Sequence, residues 1–565
     1  MVARMEWRLG ASVLAVLLIG CNPTPSATPI GSPIAGATTG PTVAACVPVP
    51  IPAAGFDAAI PPWATRTWYE VFVRSFADSD GDGIGDLAGA TARLDYLHDL
   101  GIGGVWLMPV AKAASYHGYD VTDYTAVEPD YGDEAALKAF VAAAHERGIL
   151  VIVDFVINHT SIDHPWFQDA LKGGTHRGWY VWSDTDPGWP AIAGPNPWHR
   201  TAVGDYYYGA FWEGMPDLNL RNVAVTAEID RIAGVWLDDF GVDGFRIDAA
   251  KHLIEDDGKH QVNTPETLAW LADFTSRIHS GYPDALVLGE VFDISKTAGS
   301  YVPRSLDMTF DFGLASALVS ALQTGRTAPI RTALGETLRF WPANREASFL
   351  TNHDQNRVMS QLNGDAQAAK LAGGLLMTEP GVPFIYYGEE IGLQGRKPDE
   401  RIRTPMQWSA EGPAGGFSTS QPWEPLADDW QLVNVAAEEG DLKSLLSTYR
   451  GAIKFRASHP ALVGGTTFLV DGGAESVVGW LRAAADDLVL TVLNAGTTAV
   501  SEYALAIKGG PLCGVTTASS LGAIGDPTNP SIVPPSINAT GGFDAYRPVE
   551  TLQPRSGYVI QLGGT

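Results

Sequence analysis

The sequence predicts an α/β fold, a (β/α)₈ TIM barrel with an inserted domain after its third strand and a C-terminal antiparallel β-sandwich. Three observations lead to this prediction. Short runs of β-forming residues alternate with helical patterns from about residue 68 to residue 464, which is typical of parallel sheets. These units contain no Gly-x-Gly-x-x-Gly turn of the doubly wound folds. Beyond residue 465, strand patterns follow one another without helices between them.

Eight barrel strands are predicted in order along the chain. They are residues 68–74, 104–108, 149–155, 244–247, 286–290, 306–310, 347–350 and 382–386, of which 306–310 has the weakest pattern. Continuous apolar runs such as 149–153 indicate strands that are buried on both faces. Apolar residues at helical spacing within 137–144 and 229–240 predict amphipathic helices between strands.

The domain boundaries follow from where this alternation stops. The barrel occupies 56–157 and 221–464, and it is interrupted by 158–220, which is rich in Trp, Gly, Pro and Asp and has no clear helical pattern. A connection of that length is expected to be functional or to form a small domain. The β-sandwich occupies 465–565, with strands predicted at 466–470, 477–481, 488–494 and 558–562.

The N-terminus has the composition of an export signal. Residues 1–20 combine two arginines with a short apolar run, and they end in Leu-Ile-Gly before Cys21, which resembles a bacterial lipobox. An ordinary signal peptide with a chance cysteine is the alternative. Residues 21–55 are a Pro-, Thr- and Gly-rich tether. We therefore expect an exported protein, held at the bacterial cell membrane, on its periplasmic or outer side, only by lipid on Cys21.

Composition narrows the classes of partner. The net charge of −27 argues against nucleic acid and against basic contacts with anionic lipid. Seventeen tryptophans offer flat faces that suit sugars. The three cysteines are too few for a disulfide scaffold. Besides Cys21, Cys46 and Cys513 could pair in an exported protein or stay free.

Polar residues cluster at the predicted C-terminal ends of the barrel strands, where the active sites of such barrels lie. These ends carry Tyr-His-Gly-Tyr-Asp at 116–120, Asp-Phe-Val-Ile-Asn-His at 154–159, Gly-Phe-Arg-Ile-Asp at 244–248, Gly-Glu-Val-Phe at 289–292 and Phe-Leu-Thr-Asn-His-Asp at 349–354. Glycoside cleavage needs one ionised carboxylate and one protonated carboxyl group. Several carboxylates with an arginine two residues before one of them fit that chemistry.

Five segments resemble, in order and spacing, the signature regions of the α-amylase family, glycoside hydrolase family 13. They begin at Asp154, Met215, Gly244, Gly289 and Phe349, and the resemblance covers about residues 65–465. It implies that Asp248 is the nucleophile, Glu290 the general acid/base and Asp354 the third carboxylate. Further roles in substrate binding are implied for His117, Tyr119, His159, Arg246, Lys251, His252, His353 and Arg403. For Arg403, a buried structural role is equally open.

The resemblance implies a retaining hydrolase of α-1,4-glucosidic bonds in starch, glycogen and maltooligosaccharides, with endo action favoured. Lys251 and His252 resemble α-amylases, whereas the segment from Arg403 to Trp408 resembles oligo-1,6-glucosidases. The segment at 215–219 resembles an intermediate group between oligo-1,6-glucosidases and neopullulanases. An exo-acting α-glucosidase, a maltooligosaccharide transglycosylase and an inactive glycan-binding lipoprotein are the alternatives.

A candidate calcium loop follows the first predicted strand. Asp78, Asp80, Asp82, the backbone of Ile84 and Asp86 place oxygen atoms at positions 1, 3, 5, 7 and 9, with a glycine at position 6. A glycine also stands at position 12, so a complete EF-hand is excluded, but a lone loop is not. The family resemblance supports calcium here. It also implies a second calcium site at Asn158 with an unidentified carboxylate of 158–220.

Overall fold

A computed structural model of the chain describes residues 46–51, 60–192, 196–524 and 530–564. All of the described residues belong to one compact unit, residues 46–565. The predicted signal peptide, Cys21 and most of the predicted tether lie outside the described residues. Within the described part, no helix is both long and apolar enough to cross a membrane.

Eight parallel strands close into a barrel. Barrel strands that follow one another along the chain lie side by side, and the last one pairs with the first. They are Trp68–Val71, Gly104–Leu107, Leu150–Phe155, Gly244–Ile247, Leu286–Gly289, Met308–Phe310, Glu346–Ser348 and Val382–Tyr386. All of their residues except Leu150 are buried, which explains the continuous apolar runs in the sequence. The predicted TIM barrel is confirmed.

Helices connect the strands. The α-helices are Leu87–Ala92, Leu94–Leu100, Glu134–Glu146, Pro165–Leu171, Val223–Gly234, Pro265–Gly281, Ser295–Ser300, Phe312–Thr324, Ala328–Phe340, Val358–Gln361, Ala366–Thr378, Asp399–Ile402, Val435–Glu438, Leu445–Ser458 and Pro460–Gly464. The side chains of Asp133 and Asn222 accept hydrogen bonds from the first turns of the two helices that the sequence predicted most clearly. The second of these continues as a π-helical turn, Val235–Asp239.

The segment between the third and fourth barrel strands forms a small layer of its own. It contains the helix Pro165–Leu171 and a three-stranded antiparallel sheet of Trp182–Ser183, Trp198–Arg200 and Tyr206–Tyr208. The sequence showed no clear helix here, because seven residues are too few to reveal a period. The helix starts with Pro165 after His164, whose side chain accepts from the backbone N–H of Trp166. A second hairpin, Ala111–Ala113 with Val121–Val127, follows the second barrel strand.

The C-terminal part is antiparallel, as predicted. One sheet has five strands, in the spatial order Thr466–Val470, Val477–Ala484, Asp487–Asn494, Ser556–Gly564 and Val515–Ile524. A second sheet pairs Leu505–Ile507 with Phe543–Tyr546. Both sheets contribute to one apolar core, which is separate from the core of the barrel.

The N-terminal end of the described chain is fixed to this C-terminal part. Cys46 forms a disulfide with Cys513, so the pairing that the sequence left open is present. The backbone N–H groups of Val47 and Val49 donate to the carbonyls of Ala539 and Gly510. Residues 46–51, inside the predicted tether, are therefore not a free linker, because a covalent bond and backbone hydrogen bonds hold them.

Candidate active site

The C-terminal ends of the barrel strands surround a cavity of about 630 Å³. Nine of the eleven predicted catalytic and substrate-binding residues line it: His117, Tyr119, His159, Asp248, Lys251, His252, Glu290, Asp354 and Arg403. The other two, Arg246 and His353, are buried and bind the residues that line it. The structure therefore brings together all eleven side chains.

The buried guanidinium group of Arg246 binds three carboxylates. Nη1 lies 2.8 Å from Asp154 Oδ1 and 2.6 Å from Asp248 Oδ1, and Nη2 lies 2.5 Å from Glu290 Oε2. Burial alone would lower the pKa of Arg246, but the surrounding carboxylates, Asp154 and Glu290 first, raise it well above its usual value. Arg246 therefore stays a cation and holds Asp248 and Glu290 close together.

The chain turns sharply after Asp248. Arg246 and Asp248 lie two residues apart at the end of the fourth strand, so their side chains point the same way. Ala249 has a φ of 49°, in the left-handed region, which costs a non-glycine residue about 1 kcal/mol. Its backbone N–H donates to Glu290 Oε2 at 3.4 Å. The turn thus ties the end of the fourth strand to the carboxyl group after the fifth.

The carboxyl group of Glu290, which lines the cavity, is suited to carrying a proton. Burial raises its pKa, Arg246 opposes that shift, and the negative charges of Asp248 and Asp354 add to it. The net result is a pKa above the usual value for glutamate. A carboxyl group of this kind keeps its proton closer to neutral pH, which general acid catalysis requires.

Asp354 has the opposite environment. Its Oδ2 lies 3.3 Å from His353 Nε2, and its Oδ1 lies 3.0 Å from Arg403 Nη2. Burial alone would raise the pKa of Asp354, but these two cations lower it below its usual value. Arg403 is 3% exposed and also donates to the backbone carbonyl of His353. It supports Asp354 and lines the cavity, so its position is compatible with both roles that the sequence left open.

Tyr119 and three histidines form the aromatic wall of the cavity. The Tyr119 hydroxyl lies 3.1 Å from Asp154 Oδ2 and 2.6 Å from His353 Nε2, and its ring stacks on His353. Burial lowers the pKa of His117 and His159 and lowers that of His252 to about 3. These three imidazoles are therefore uncharged near neutral pH. His117 Nδ1 already accepts from the backbone N–H of Tyr119, and His159 Nε2 donates to the Tyr119 carbonyl, so each of these two rings keeps one nitrogen for a further hydrogen bond.

One side of the cavity carries an exposed aromatic ring. Phe292, two residues after Glu290, is 61% exposed and lines the cavity. Lys251 Nζ donates to its backbone carbonyl at 2.5 Å and lies 3.6 Å from Asp293. The Lys251 ammonium group thus holds the loop that presents Phe292.

The sequence did not single out four residues of this site: Glu70, Asp154, Phe292 and Asp399. Asp154 begins one of the five segments that resemble the family, but only its contact with Arg246 shows that its side chain belongs to the site. Asp399 lines the cavity and pairs with Arg403 at 3.3 Å. Glu70 lies within a buried strand and binds His353. A carboxylate in an otherwise apolar strand was the available signal for Glu70.

The predicted calcium loop brings together three of its four carboxylates. Ligand oxygens of Asp78, Asp80 and Asp86 all lie within 4.8 Å of one another. The exposed Asp82 side chain instead accepts from the backbone N–H of Ile84 at 2.7 Å. Converging carboxylate oxygens are the ligands that a calcium ion prefers. The donor set therefore fits calcium.

The predicted second calcium site is less complete. Asn158 Nδ2 donates to Asp217 Oδ2 at 2.9 Å, so Asp217 is the carboxylate of the insertion that approaches Asn158. Asn158 Oδ1 is buried and has no hydrogen-bond partner among the described residues. In the part of the chain that the structure describes, Asp78, Asp80 and Asp86 are the one group of at least three His, Cys, Asp or Glu side chains whose ligand atoms all lie within 4.8 Å of one another.

Comparison with known proteins identifies the family. Residues 70–465 match the family described as alpha amylase, catalytic domain. The chain belongs to the α-amylase family. It is a glycoside hydrolase that acts on α-glucans, so the predicted family and enzyme class are confirmed.

Individual relatives differ in the reactions they are named for. "Alpha-amylase 3" of Dictyoglomus thermophilum is 37% identical over 447 residues, 77% of this chain and 85% of that protein. An oligo-1,6-glucosidase of Parageobacillus thermoglucosidasius is 29% identical over 508 residues, 76% of this chain and 90% of that protein. The crystal structure of an alpha-amylase from H. orenii is 38% identical, with a TM-score of 0.75, and covers 88% of this chain and 99% of its own. This range is consistent with the predicted intermediate group.

Proposed function

We propose that the protein is a retaining, endo-acting α-amylase that hydrolyses α-1,4-glucosidic bonds of starch, glycogen and maltooligosaccharides. The observation that carries the proposal is the single guanidinium group of Arg246, which binds both Asp248 and Glu290. Retaining glycosidases need a nucleophile and an acid close together, with carboxyl groups about 5–5.5 Å apart. A cation shared by both groups supports that arrangement.

The chemistry then has two steps. Asp248 attacks the anomeric carbon while Glu290 gives its proton to the departing glycosidic oxygen, leaving a covalent glycosyl–enzyme. Glu290, now a carboxylate, takes a proton from water, whose oxygen bonds to the anomeric carbon as Asp248 leaves. Asp354, kept ionised by His353 and Arg403, is placed to bind sugar hydroxyl groups and to stabilise positive charge at the transition state.

The assay is the release of reducing sugar from soluble starch. We expect Asp248→Asn to lower the rate by about 10³-fold or more, because the nucleophile is lost. Glu346→Gln is a matched control, since Glu346 is equally buried but is the first residue of its strand, at the end of the barrel away from the cavity. Equal rates for wild type and Asp248→Asn would contradict the proposal.

An exo-acting α-glucosidase or a transglycosylase is the second candidate. The oligo-1,6-glucosidase relative favours it. A protein of Mycobacterium tuberculosis named "Trehalose synthase/amylase", 32% identical over 508 residues, combines both kinds of activity in its name. The α-amylases at 37% and 38% identity favour endo action. A nitrophenyl maltoheptaoside blocked at its non-reducing end separates the two, because only an endo-acting enzyme cleaves it.

We also propose that the protein is lipid-anchored through Cys21 and exported. The N-terminal sequence pattern and the disulfide between Cys46 and Cys513 support this, because disulfides persist mainly in oxidising compartments. Cys21→Ser is expected to move the protein from the membrane fraction to the soluble fraction. Retention of the variant in the membrane fraction would contradict the lipid anchor.

A further inference from the structure

The carboxylate of Glu70 is buried in the first barrel strand and has a short contact with the active site. It is the third residue of Trp68–Val71 and is 2% exposed. Its Oε1 lies 2.5 Å from His353 Nδ1. A charged group in such a strand is costly unless it is paired. The contact with His353 therefore needs a reason beyond packing, since an apolar residue would fill the strand at less cost.

The other side of the His353 ring faces the reacting groups. Nε2 lies 3.3 Å from Asp354 Oδ2 and 2.6 Å from the Tyr119 hydroxyl. Tyr119 binds Asp154, which binds Arg246, so an unbroken series of hydrogen bonds runs from Glu70 to the guanidinium group between Asp248 and Glu290. The rings of Trp106 and His353, both buried, pack in a T-shaped arrangement with centroids 5.6 Å apart. Charges in such a setting interact more strongly than in water.

We propose that Glu70 is a positioning residue that holds His353 as an imidazolium cation against Asp354. Glu70 does not line the cavity, so it acts through His353 and does not touch the substrate. With Glu70 accepting at Nδ1, a charged ring has a second N–H that points to Asp354 and Tyr119. An uncharged ring would offer only one N–H for both sides. Glu70 thereby keeps Asp354 ionised and fixed in orientation.

The groups that face His353 come from several elements. They are Glu70, Tyr119, Asp154, Glu290, Asp354 and Arg403. Burial lowers the pKa of His353, the nearby Asp354 and Glu70 raise it, and Arg403 lowers it again, with a net shift upwards. A pKa above the usual value means that the His353 ring still carries its proton at the pH where an ordinary histidine loses it.

Glu70→Gln separates an electrostatic role from a structural one. Glutamine keeps a hydrogen-bond acceptor but removes the charge. We expect the basic limb of the pH profile of kcat/KM on α-glucosyl fluoride, whose leaving group needs no proton from Glu290, to move to lower pH by about one unit, and the rate on the basic side to fall about tenfold. Glu346→Gln, a matched loss of a buried carboxylate far from His353, should leave the profile unchanged. A wild-type profile in Glu70→Gln would overturn the proposal.

A double variant shows whether His353 is the group affected. In a His353→Asn background, Glu70→Gln should cause no further shift, because no imidazole remains to titrate. An equal shift in that background would mean that Glu70 acts on another group, and it would overturn the proposal. Should Glu70→Gln not fold, Glu70→Asp takes its place. We then expect a smaller shift of the same sign, because the charge remains without its hydrogen bond, and no shift would overturn the proposal.

This inference rests on the proposed hydrolytic function, and the two can fail separately. Loss of activity on starch in the wild type itself would contradict the proposed function. An active wild type with an unchanged Glu70→Gln profile would contradict only the role of Glu70.

Discussion

The three carboxyl groups Asp248, Glu290 and Asp354 lie among different neighbours. Asp248 shares Arg246 with Glu290, whereas Asp354 lies between His353 and Arg403. The pKa of Glu290 is raised, mainly by burial, and that of Asp354 is lowered by two cations that outweigh burial. In glycosidases, different environments shift the pKa values of carboxyl groups in opposite directions, so that one group serves as the acid while another stays ionised.

The raised pKa of Glu290 predicts a specific dependence on leaving group and pH. Starch hydrolysis needs its proton, so the rate should fall as the pH rises through that pKa, and Glu290→Gln should lower it by about 10²–10⁴-fold. Fluoride needs no proton to leave. We therefore expect Glu290→Gln to release a burst of fluoride from α-glucosyl fluoride, one per enzyme. Equal losses on both substrates would contradict the acid role.

The sequence predicted the carboxylates at strand ends and missed Glu70, which lies inside a strand. Asp248, Glu290 and Asp354 follow buried runs, so the topology of a barrel alone brings them to one end. Glu70 interrupts such a run and looks like a local exception until His353 is seen beside it. Asp399 lies on a loop after the last barrel strand, and its pairing with Arg403 depends on how that loop folds back.

At the scale of elements, the acidic loop after the first strand is built by its own backbone. Asp78 accepts from the N–H groups of Gly81 and Gly83. Gly83 has a φ of 95°, and a Cβ there would meet the carbonyl oxygen of Gln421 at 2.3 Å, so glycine is required. Through this contact, the loop packs against the segment that contains Gln421, in the last part of the barrel domain. A bound cation would relieve the repulsion among the carboxylates.

Calcium is therefore expected to stabilise the fold. At a calcium concentration 100 times Kd, the stabilisation is about 2.7 kcal/mol, so EDTA should lower Tm and added calcium should restore it. Asp80→Asn should weaken this response. Asp99→Asn, with the same charge change at a side chain that is 74% exposed, should retain it. A Tm that is unaffected by EDTA, or an equal response in Asp80→Asn, would count against the site.

The strands and helices that the sequence predicted best are those whose residues are mostly buried. The eight barrel strands are buried on both faces, and all eight occur where the apolar runs predicted them. The strand Val515–Ile524 was missed because it is largely polar and half-exposed at the edge of its sheet. The helix Pro165–Leu171 was missed because it buries only Phe167 and Ala170.

At the scale of the whole molecule, the disulfide between Cys46 and Cys513 joins positions that are 467 residues apart in sequence. The sequence could not decide whether these two cysteines pair, because their positions in the chain do not tell how far apart they lie in the fold. Cross-links between distant positions restrict the unfolded chain, and typical disulfides contribute about 2–4 kcal/mol to the free energy of unfolding.

Removing this cross-link should loosen the N-terminal segment without affecting catalysis. We expect Cys46→Ser/Cys513→Ser to lower Tm and to increase hydrogen exchange at Val47 and Val49, whose amides donate to the C-terminal part. Starch hydrolysis below Tm should be unchanged, because the cysteines do not line the cavity. Unaltered exchange at these two amides would show that the hydrogen bonds alone hold the segment.

Trapping the glycosyl–enzyme intermediate shows whether Asp248 forms a covalent bond to the sugar. The protein is incubated with a slowly turning-over fluorinated α-glucosyl fluoride, digested and analysed by mass spectrometry. We expect one fluoroglucosyl unit per chain, attached to Asp248, and none in Asp248→Asn. A label on Glu290 or Asp354, or turnover without any covalent species, would contradict this expectation.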